Sequence, residues 1–369
     1  MSNHLQRPLV PDNIKNLKAY VAGKTIKEVD EAYHPSQIAK LASNENRLGC
    51  SSLVAPAVQE ALQEIQDYPD PAARQLRAEL AKKNDVSIEN IVVGAGSESI
   101  ISILCRTFFK NNDIALTADA TFVGFFVQAN IRGITLQKVP VTSDYRFDVE
   151  AIVDAITDCT KMIYIANPNN PTGTYINNRE FEYLMDEVPR DILVIMDQAY
   201  HEYAYDVDDY PDALDYNYPN VITLRTFSKA YGLAGMRVGY AIAHKEPIAN
   251  MLKTKLTFEP TAAAQAAAIA ALQDEAFLSE SRRVVEKGRM QLYDFFDGHN
   301  VQYISSISNS VLMICDSEKE AASFTQKMLK KGVILRQTQA FGVPEGVRIT
   351  IGTEKDMRYF EQCFEDIDW

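Results

Sequence analysis

Between about residues 90 and 245, short apolar runs alternate with longer stretches of helical periodicity. The runs are apolar almost throughout and cover 90–93, 114–117, 161–166, 191–196, 221–227 and 238–243. Such strands are typical of a parallel or mixed sheet with helices on both faces. The pattern therefore predicts an α/β architecture with a mixed, mostly parallel sheet, in which ligands bind beyond the carboxyl ends of the strands.

After residue 260 the pattern changes to that of a smaller α+β lobe. The predicted elements are a long helical region at about 261–297, strands at 310–315, 333–335 and 347–351, and a further helix at about 318–331. We therefore predict an N-terminal segment that packs on the small lobe, a large lobe and a small C-terminal lobe, over 1–45, 46–260 and 261–369.

Length and composition limit the class of protein. A chain of 369 residues exceeds one ordinary hydrophobic core, and 46% hydrophobic with 24% charged residues is typical of a globular protein. The net charge of −13 disfavours nucleic acid as a partner. No apolar run approaches the roughly 18 residues of a membrane helix, and no signal peptide is recognisable. The five cysteines form no C-x-x-C pair and the five histidines have no metal-ligand spacing, so we expect a cytoplasmic protein with reduced thiols and no metal.

A glycine-rich loop follows the predicted strand at 221–227, and a lysine stands at its start. The sequence T-F-S-K-A-Y-G-L-A-G-M-R-V-G at 226–239 places Lys229 beside Ser228 and eight residues before Arg237. A lysine whose pKa is lowered by burial or by a nearby cation can form a Schiff base with an aldehyde and then shuttle protons. A solvated surface lysine is the alternative, but the hydroxyl, the fixed cation and the small residues suit a phosphate group.

Two further strand ends carry polar side chains. Asp197 closes the run at 191–196, where a carboxylate is costly unless it is paired. A protonated pyridinium nitrogen is a suitable partner, and a helix cap or a structural ion pair is the alternative. N-P-N-N-P-T-G at 167–173 is a rigid turn in which Asn170 can hydrogen-bond a ring hydroxyl, although a turn alone also explains the motif.

The segment G-A-G-S-E-S at 94–99 lies between a predicted strand and a helix with apolar periodicity. Backbone N–H groups at the start of such a helix form an anion site. The segment also approaches a dinucleotide-binding fingerprint. However, Ser99 stands where the third glycine is required, and the acidic residue about 20 positions on, Asp113, precedes its strand instead of ending it. We therefore favour a phosphate site over a nicotinamide site.

Taken together, these motifs resemble those of the fold-type-I pyridoxal-phosphate (PLP) aminotransferases, and within them the histidinol-phosphate aminotransferase family. T-F-S-K-A-Y-G-L-A-G fits the lysine-attachment signature of the subclass at every position, and N-P-N-N-P-T-G is nearly as specific. The resemblance extends from N-L-K-A-Y at 16–20 to R-I-T-I-G-T at 348–353. It implies a PLP-dependent transaminase.

The resemblance also implies roles around the cofactor. Lys229 is expected to form the Schiff base with PLP and to act as the acid and base of the 1,3-proton shift, while Asp197 pairs with the pyridine nitrogen. Asn170 and Tyr200 are expected to hydrogen-bond the ring oxygen, and Phe122 to stack on the ring, although such a phenylalanine is more often a core residue. The phosphate group is expected to lie among Gly96, Ser97, Glu98, Ser228 and Arg237.

For the substrate, the resemblance implies a pocket for an anionic end. Arg348 is the expected clamp, Arg336 and Tyr20 belong to the same pocket, and Asn44 lines it. Surface salt bridges are the alternative for the two arginines. Tyr68 resembles the residue that reaches the cofactor of the neighbouring subunit, which implies a homodimer with shared active sites.

Four positions depart from the usual family pattern. Arg47 stands where proline usually follows Asn-Glu-Asn, Phe122 replaces a tyrosine, and Gln198 replaces the glutamate after the aspartate. Glu98-Ser99 stands for Asp-Glu. These departures bear on the substrate and on the phosphate side of the site.

We therefore expect ping-pong amino transfer from L-histidinol phosphate to 2-oxoglutarate. An aminotransferase for phenylalanine or tyrosine is the close alternative, with the substrate carboxylate on Arg348. A PLP-dependent decarboxylase of a phosphorylated amino acid would release CO2 instead of forming glutamate. A cofactor-binding regulator would need a DNA-reading module, and the segment before Asn44 shows no helix-turn-helix pattern.

Overall fold

The computed structural model describes residues 8–15, 17 and 23–368, and the large lobe within them is built on a seven-stranded sheet. The strands of the described chain are β1 Ala39–Lys40, β2 Ile91–Gly94, β3 Ile114–Ala118, β4 Thr135–Val139, β5 Thr160–Ala166, β6 Leu193–Asp197, β7 Val221–Thr226, β8 Gly239–Ala243, β9 Tyr303–Ile304, β10 Ser310–Ile314, β11 Val333–Ile334, β12 Arg336–Gln337 and β13 Gly346–Thr350. The large sheet has the order β2-β8-β7-β6-β5-β3-β4, in which β8 is antiparallel to both neighbours and every other pair is parallel.

Helices cover both faces of this sheet, as its nearly uninterrupted apolar strands require. The described helices are α1 Asp12–Lys15, α2 Ile26–Tyr33, α3 Val54–Ala61, α4 Arg74–Lys83, α5 Ser97–Phe108, α6 Val123–Arg132, α7 Val149–Asp154, α8 Asn178–Glu187, α9 His201–Ala204, α10 Lys245–Thr254, α11 Ala262–Leu272, α12 Glu275–Gly298, α13 Glu318–Lys330 and α14 Glu354–Glu365. One face packs on α5, α6 and α10. The opposite face packs on α3, α4 and α11 at one side and on α7 and α8 at the other. The predicted mixed, mostly parallel α/β sheet is confirmed.

A second core belongs to the small lobe. Its four-stranded antiparallel sheet has the order β12-β13-β10-β9 and packs on α12, α13 and α14. The segment before the large lobe joins this core, because β1 pairs in parallel with β11 and Leu41 is fully buried there. None of the described helices combines the length and the apolar character needed to cross a membrane.

The position of the lobe boundary remains a proposal. The alanines of α11 pack against β2 and β8 of the large sheet. The long helix α12 contributes Leu278 to that same core and Val285 to the core of the small lobe. This packing favours a boundary within α12 over one at residue 260.

Candidate active site

The register of the large sheet brings the predicted motifs to one edge. It pairs Ala166 at the end of β5 with Asp197 at the end of β6, and Thr226 at the end of β7 with Gly239 at the start of β8. Gly94 at the end of β2 also pairs with Gly239. Because the parallel strands end here and β8 begins here, the loops that carry the motifs converge above this edge.

Two adjoining cavities lie at this edge. The first has a volume of about 230 Å³, and nine of the predicted site residues line it, namely Ser97, Glu98, Phe122, Asn170, Asp197, Tyr200, Ser228, Lys229 and Arg237. The second, of about 270 Å³, is lined by Arg336 and Arg348. The cavities share six wall residues, Ser43, Glu98, Phe122, Asn170, Tyr200 and Lys229. A ligand bound in the first cavity can therefore be reached from the second.

Lys229 lies three residues beyond the end of β7 and faces both cavities. Its side chain is half-buried, and its Nζ donates a hydrogen bond to the carbonyl oxygen of Ser43 at 3.3 Å. The same Nζ lies 5.5 Å from the centroid of the Tyr200 ring. The loop turns at Gly232, whose φ of +72° and contact with the Gly49 carbonyl leave no room for a side chain. The fold thus holds a primary amine between the two cavities.

Asp197 is the buried anion of the first cavity, with 3% of its surface exposed. Its Oδ2 accepts a hydrogen bond from the hydroxyl of Tyr164 at 2.6 Å, and its Oδ1 accepts one from the amide of Ala199 at 3.2 Å. Burial raises the pKa of Asp197 to about 6, while those hydrogen bonds and the charge of Lys229 act in the opposite direction. A cation placed against this carboxylate would relieve the cost of burying it.

An anion cradle lies at the start of α5. Gly96 precedes the helix with φ +87°, and a Cβ on it would lie 2.7 Å from a terminal nitrogen of Arg237. Arg237 also donates a hydrogen bond to the Ser228 hydroxyl at 3.4 Å. A Cβ on Gly239 would lie 2.6 Å from the amide nitrogen of Ser97. The helix start, the guanidinium group and two hydroxyls form a site for a phosphate group.

Glu98 lies on the cavity wall, but its side chain is exposed and its carboxylate accepts a hydrogen bond from Gln128 at 3.2 Å. A carboxylate repels a phosphate, so only the backbone amide of Glu98 suits the role expected for it. Phe122 is half-buried immediately before α6 and faces both cavities. A Cβ on Gly124 would lie 2.5 Å from the Phe122 ring, so this glycine leaves the ring its place.

Hydrogen bonds connect the polar residues of the two cavities. Asn170 Oδ1 accepts a hydrogen bond from a terminal nitrogen of Arg348. The Tyr200 hydroxyl accepts one from Asn44 Nδ2 at 2.9 Å. The Asn44 amide also bonds Thr350 and Ser310, and the side chain is fully buried away from both cavity walls. Its position suits the support of Tyr200 better than the direct substrate contact expected from the sequence.

The second cavity is defined by two arginines. Arg336 of β12 and Arg348 of β13 are direct cross-strand partners. Their guanidinium carbons lie 5.5 and 5.3 Å from the centroid of the Phe341 ring. Arg348 is 4% exposed and also donates a hydrogen bond to the carbonyl oxygen of Ala42 at 2.6 Å. Because like charges on opposite strands destabilise a sheet, this pair favours an anionic ligand.

Two predicted residues lie apart from this arrangement. Tyr68 is 79% exposed, stacks on Phe258 with ring centroids 4.1 Å apart, and lines neither cavity of its own chain. Tyr20 lies outside the described residues. The described chain has no group of three or more histidine, cysteine, aspartate or glutamate residues placed to hold a metal.

Two of the departures from the family pattern make contacts of their own. Arg47 Nε lies 3.8 Å from Asp356 Oδ2, which ties the start of the large lobe to α14. Gln198 donates a hydrogen bond to the Pro211 carbonyl at 2.8 Å and accepts one from Arg225 at 3.3 Å. Both contacts lie outside the two cavities.

The sequence analysis missed three residues of the site. Ser43 and Glu45 line the first cavity on either side of Asn44, in the loop that the motif indicated. Tyr164 bonds Asp197, yet it lies inside an apolar strand, where no local signal distinguishes it from a core residue.

Comparisons with known proteins agree with this geometry. The model of the family "aminotransferase class I and II" matches residues 36–362. The histidinol-phosphate aminotransferase of Bacillus velezensis is 38% identical over 94% of this chain and 96% of its own length. The enzyme of that name from a Geobacillus species is 39% identical over 94% of both chains.

Solved structures show the same fold at lower identity. The histidinol-phosphate aminotransferase of Sinorhizobium meliloti, in complex with PLP, superposes with a TM-score of 0.89 at 24% identity over 97% of both chains. A mutant aspartate aminotransferase of Thermus thermophilus gives 0.83 at 21% identity, covering 98% of this chain and all of its own. The predicted resemblance and the fold-type-I architecture are confirmed.

Proposed function

The chain belongs to the aminotransferase class I and II family, and from that premise we propose that it transfers the amino group of L-histidinol phosphate to 2-oxoglutarate. The products are imidazole acetol phosphate and L-glutamate. The observation that carries the choice of substrate is the cross-strand pair of Arg336 and Arg348, which opens on the cavity next to Lys229.

The first cavity fits PLP, the cofactor of this family. The buried Asp197 carboxylate needs a cation, which a protonated pyridine nitrogen supplies. The cradle of Gly96, Ser97, Ser228 and Arg237 needs an anion, which the phosphate group supplies. The cavity between them is bounded by the Phe122 ring, the Tyr200 hydroxyl, the Asn170 amide and the Lys229 amine.

When bound, PLP withdraws electrons from the bond between the substrate α-carbon and its hydrogen. Lys229 Nζ would hold the cofactor, and the same amine, placed between the two cavities, would remove the α-proton of the substrate and return a proton. Asp197 would pair with the ring nitrogen. Tyr200 and Asn170 orient the ring oxygen, and the bond from Arg348 to Asn170 links substrate binding to that orientation.

The charge of the second cavity favours a phosphorylated donor. Two guanidinium groups match a phosphate dianion, to which arginine donates paired hydrogen bonds. Phenylalanine and tyrosine each bring one carboxylate, which needs one arginine. The Phe341 ring beside both arginines shields the pair from water and strengthens the attraction.

A comparison of amino donors tests this proposal. With 2-oxoglutarate as acceptor, kcat/KM is expected to be about ten- to a hundredfold higher for L-histidinol phosphate than for phenylalanine or tyrosine, because a second charged contact contributes about 1.5–3 kcal/mol. Arg336→Gln should reduce this preference while leaving phenylalanine turnover nearly unchanged. Equal kcat/KM values for the donors would favour an aromatic aminotransferase, and CO2 release without glutamate would favour a decarboxylase.

We also propose a homodimer with shared active sites, in the cytoplasm. Tyr68 and Phe258 form an exposed stack, and other apolar side chains of the same two segments are also exposed, namely Leu53, Leu62, Ile65 and Leu256. Covering these side chains with a second copy would bring Tyr68 towards the partner's site. The five free thiols support a reducing compartment.

A further inference from the structure

Tyr164 makes a contact with the cofactor site that its place in an apolar strand conceals. The residue lies in β5, two positions before the strand ends, and its side chain is fully buried. Its hydroxyl donates a hydrogen bond of 2.6 Å to Oδ2 of Asp197, on the adjacent strand β6. Tyr164 lines neither cavity, so it can act on a bound ligand only through Asp197.

The surroundings of Tyr164 hold its ring in one position. Phe125 of α6 stacks on it with ring centroids 4.1 Å apart and an interplanar angle of 4°. The Thr117 hydroxyl bonds the backbone carbonyl of Tyr164 at 2.7 Å, which ties β5 to β3. Phe122 stands at the start of the same helix α6. This helix therefore places both the Phe122 ring, which faces the first cavity, and the Phe125 ring, which supports Tyr164.

We propose that Tyr164 is a positioning residue that fixes the Asp197 carboxylate and keeps it ionised towards the pyridine nitrogen of the cofactor. The inference rests on the proposed function, because it takes that nitrogen as the partner of Asp197. A phenol in this place can only donate its proton to the carboxylate. A hydrogen bond to a charged acceptor stabilises the charged form.

The charges around Asp197 are few. Lys229 and the Ala199 amide face it from the cavity side, and both favour the ionised carboxylate, as Tyr164 does. Burial opposes them, and it also raises the pKa of Tyr164 far above that of a free phenol, so the tyrosine stays a donor at every working pH. Tyr200 is the further titratable group near Tyr164. Removing one hydroxyl therefore removes a large part of what keeps Asp197 ionised.

The first test uses the protein without cofactor. Infrared titration follows the band of the protonated Asp197 carboxyl group, identified as the band that Asp197→Asn lacks. Tyr164→Phe, which removes a single oxygen atom, is expected to raise the titration midpoint of this band by about one pH unit or more. Tyr145→Phe is the matched control, because it removes a hydroxyl that bonds the Glu345 carboxylate at 2.8 Å, outside both cavities. This control should leave the midpoint unchanged.

The second test uses the protein with PLP. Tyr164→Phe should lower kcat about tenfold, shift the pH profile of kcat and weaken PLP binding, with little change in KM. On the Asp197→Asn background the same substitution should have almost no effect, because a neutral amide has no charge to stabilise. An unchanged band midpoint in Tyr164→Phe, or equal effects on both backgrounds, would contradict the inference. Failure of the native protein to bind PLP would contradict the proposed function. The infrared titration would still decide whether Tyr164 keeps Asp197 ionised.

Discussion

At the scale of single residues, the site concentrates charge where water is excluded. Asp197 is an almost fully buried carboxylate, and burial raises its pKa to about 6. Arg348 is a buried guanidinium directly opposite Arg336. Each of these groups costs free energy in the protein without ligands. Under the proposed function, the cofactor and the substrate would supply the opposite charges, so binding would be favoured by relief of that cost.

This cost predicts a pH dependence for the protein without cofactor. The pKa of Asp197 rises from 3.8 to about 6 on folding, so the folded state holds its proton more tightly. Stability from this group is therefore greatest below pH 3.8 and falls as the pH rises through about 6, by up to ~3 kcal/mol.

Asp197→Asn cannot titrate and should not show this fall. Urea unfolding of both proteins between pH 4 and pH 8 measures the difference between their free energies of unfolding. With rising pH, the native protein is expected to lose stability relative to Asp197→Asn. A difference that stays constant across the range would show that Asp197 is not a buried titrating group.

At this scale the sequence identified residues by their place at strand ends. Lys229, Asp197 and Asn170 were found because each follows an apolar run, where side chains meet the ligand edge of a parallel sheet. Tyr164 was not found, because its hydrogen bond to Asp197 joins it to a residue 33 positions away along the chain. Asn44 was placed in the correct loop, but its amide turns to Tyr200, a contact that depends on the tertiary fold.

At the scale of elements, the phosphate cradle depends on how closely β8 approaches the start of α5. A Cβ on Gly239 would lie 2.6 Å from the Ser97 amide and 2.8 Å from the carbonyl carbon of Gly96. Both neighbours are backbone atoms, which cannot move without displacing the helix start. Glycine at this position is therefore a condition for the cradle.

Gly239→Ala is expected to displace the start of α5 and to raise the dissociation constant for PLP about tenfold or more, because overpacking costs about 1–3 kcal/mol. Gly235→Ala is the matched control, since a Cβ there meets nothing within 4 Å and the backbone is unstrained. Fluorescence or absorbance titration with PLP measures both constants. If the two variants bound PLP equally well, the close approach would not matter.

Elements were predictable where their pattern was strong. The six predicted strands of the large sheet are present within about two residues at each end. The edge strand β4 was missed, because its residues Thr135, Gln137 and Lys138 are polar or partly exposed and give no apolar run. The helical region after 260 is two helices, α11 and α12, separated near Asp274, which caps the second helix. A local cap of this kind is hard to distinguish within a long helical sequence.

At the scale of the whole molecule, the large and small lobes meet around the two cavities of the candidate active site. The first cavity belongs mainly to the large sheet, and the arginines of the second belong to β12 and β13 of the small lobe. The segment at 42–45 passes between them, with Asn44 bonded to both Tyr200 and Thr350. The site is therefore assembled from distant parts of the chain.

The exposed apolar segments predict an effect on assembly. Ile65→Lys places a charge within the proposed dimer surface, where Ile65 is 74% exposed in the single chain. It should raise the dimer dissociation constant at least about tenfold and lower activity at low protein concentration. Met290→Lys, at a 54% exposed methionine of α12, should change neither. Analytical ultracentrifugation measures the result, and identical sedimentation of Ile65→Lys and the native protein would exclude this surface as the interface.

The most direct test of the account concerns Lys229. The protein is incubated with PLP, reduced with borohydride, digested and mapped by mass spectrometry. We expect a single pyridoxyl group on Lys229, in the peptide that follows β7, and none in Lys229→Ala. A pyridoxyl group on another lysine, or no label at all, would contradict the assignment of this cavity as the active site.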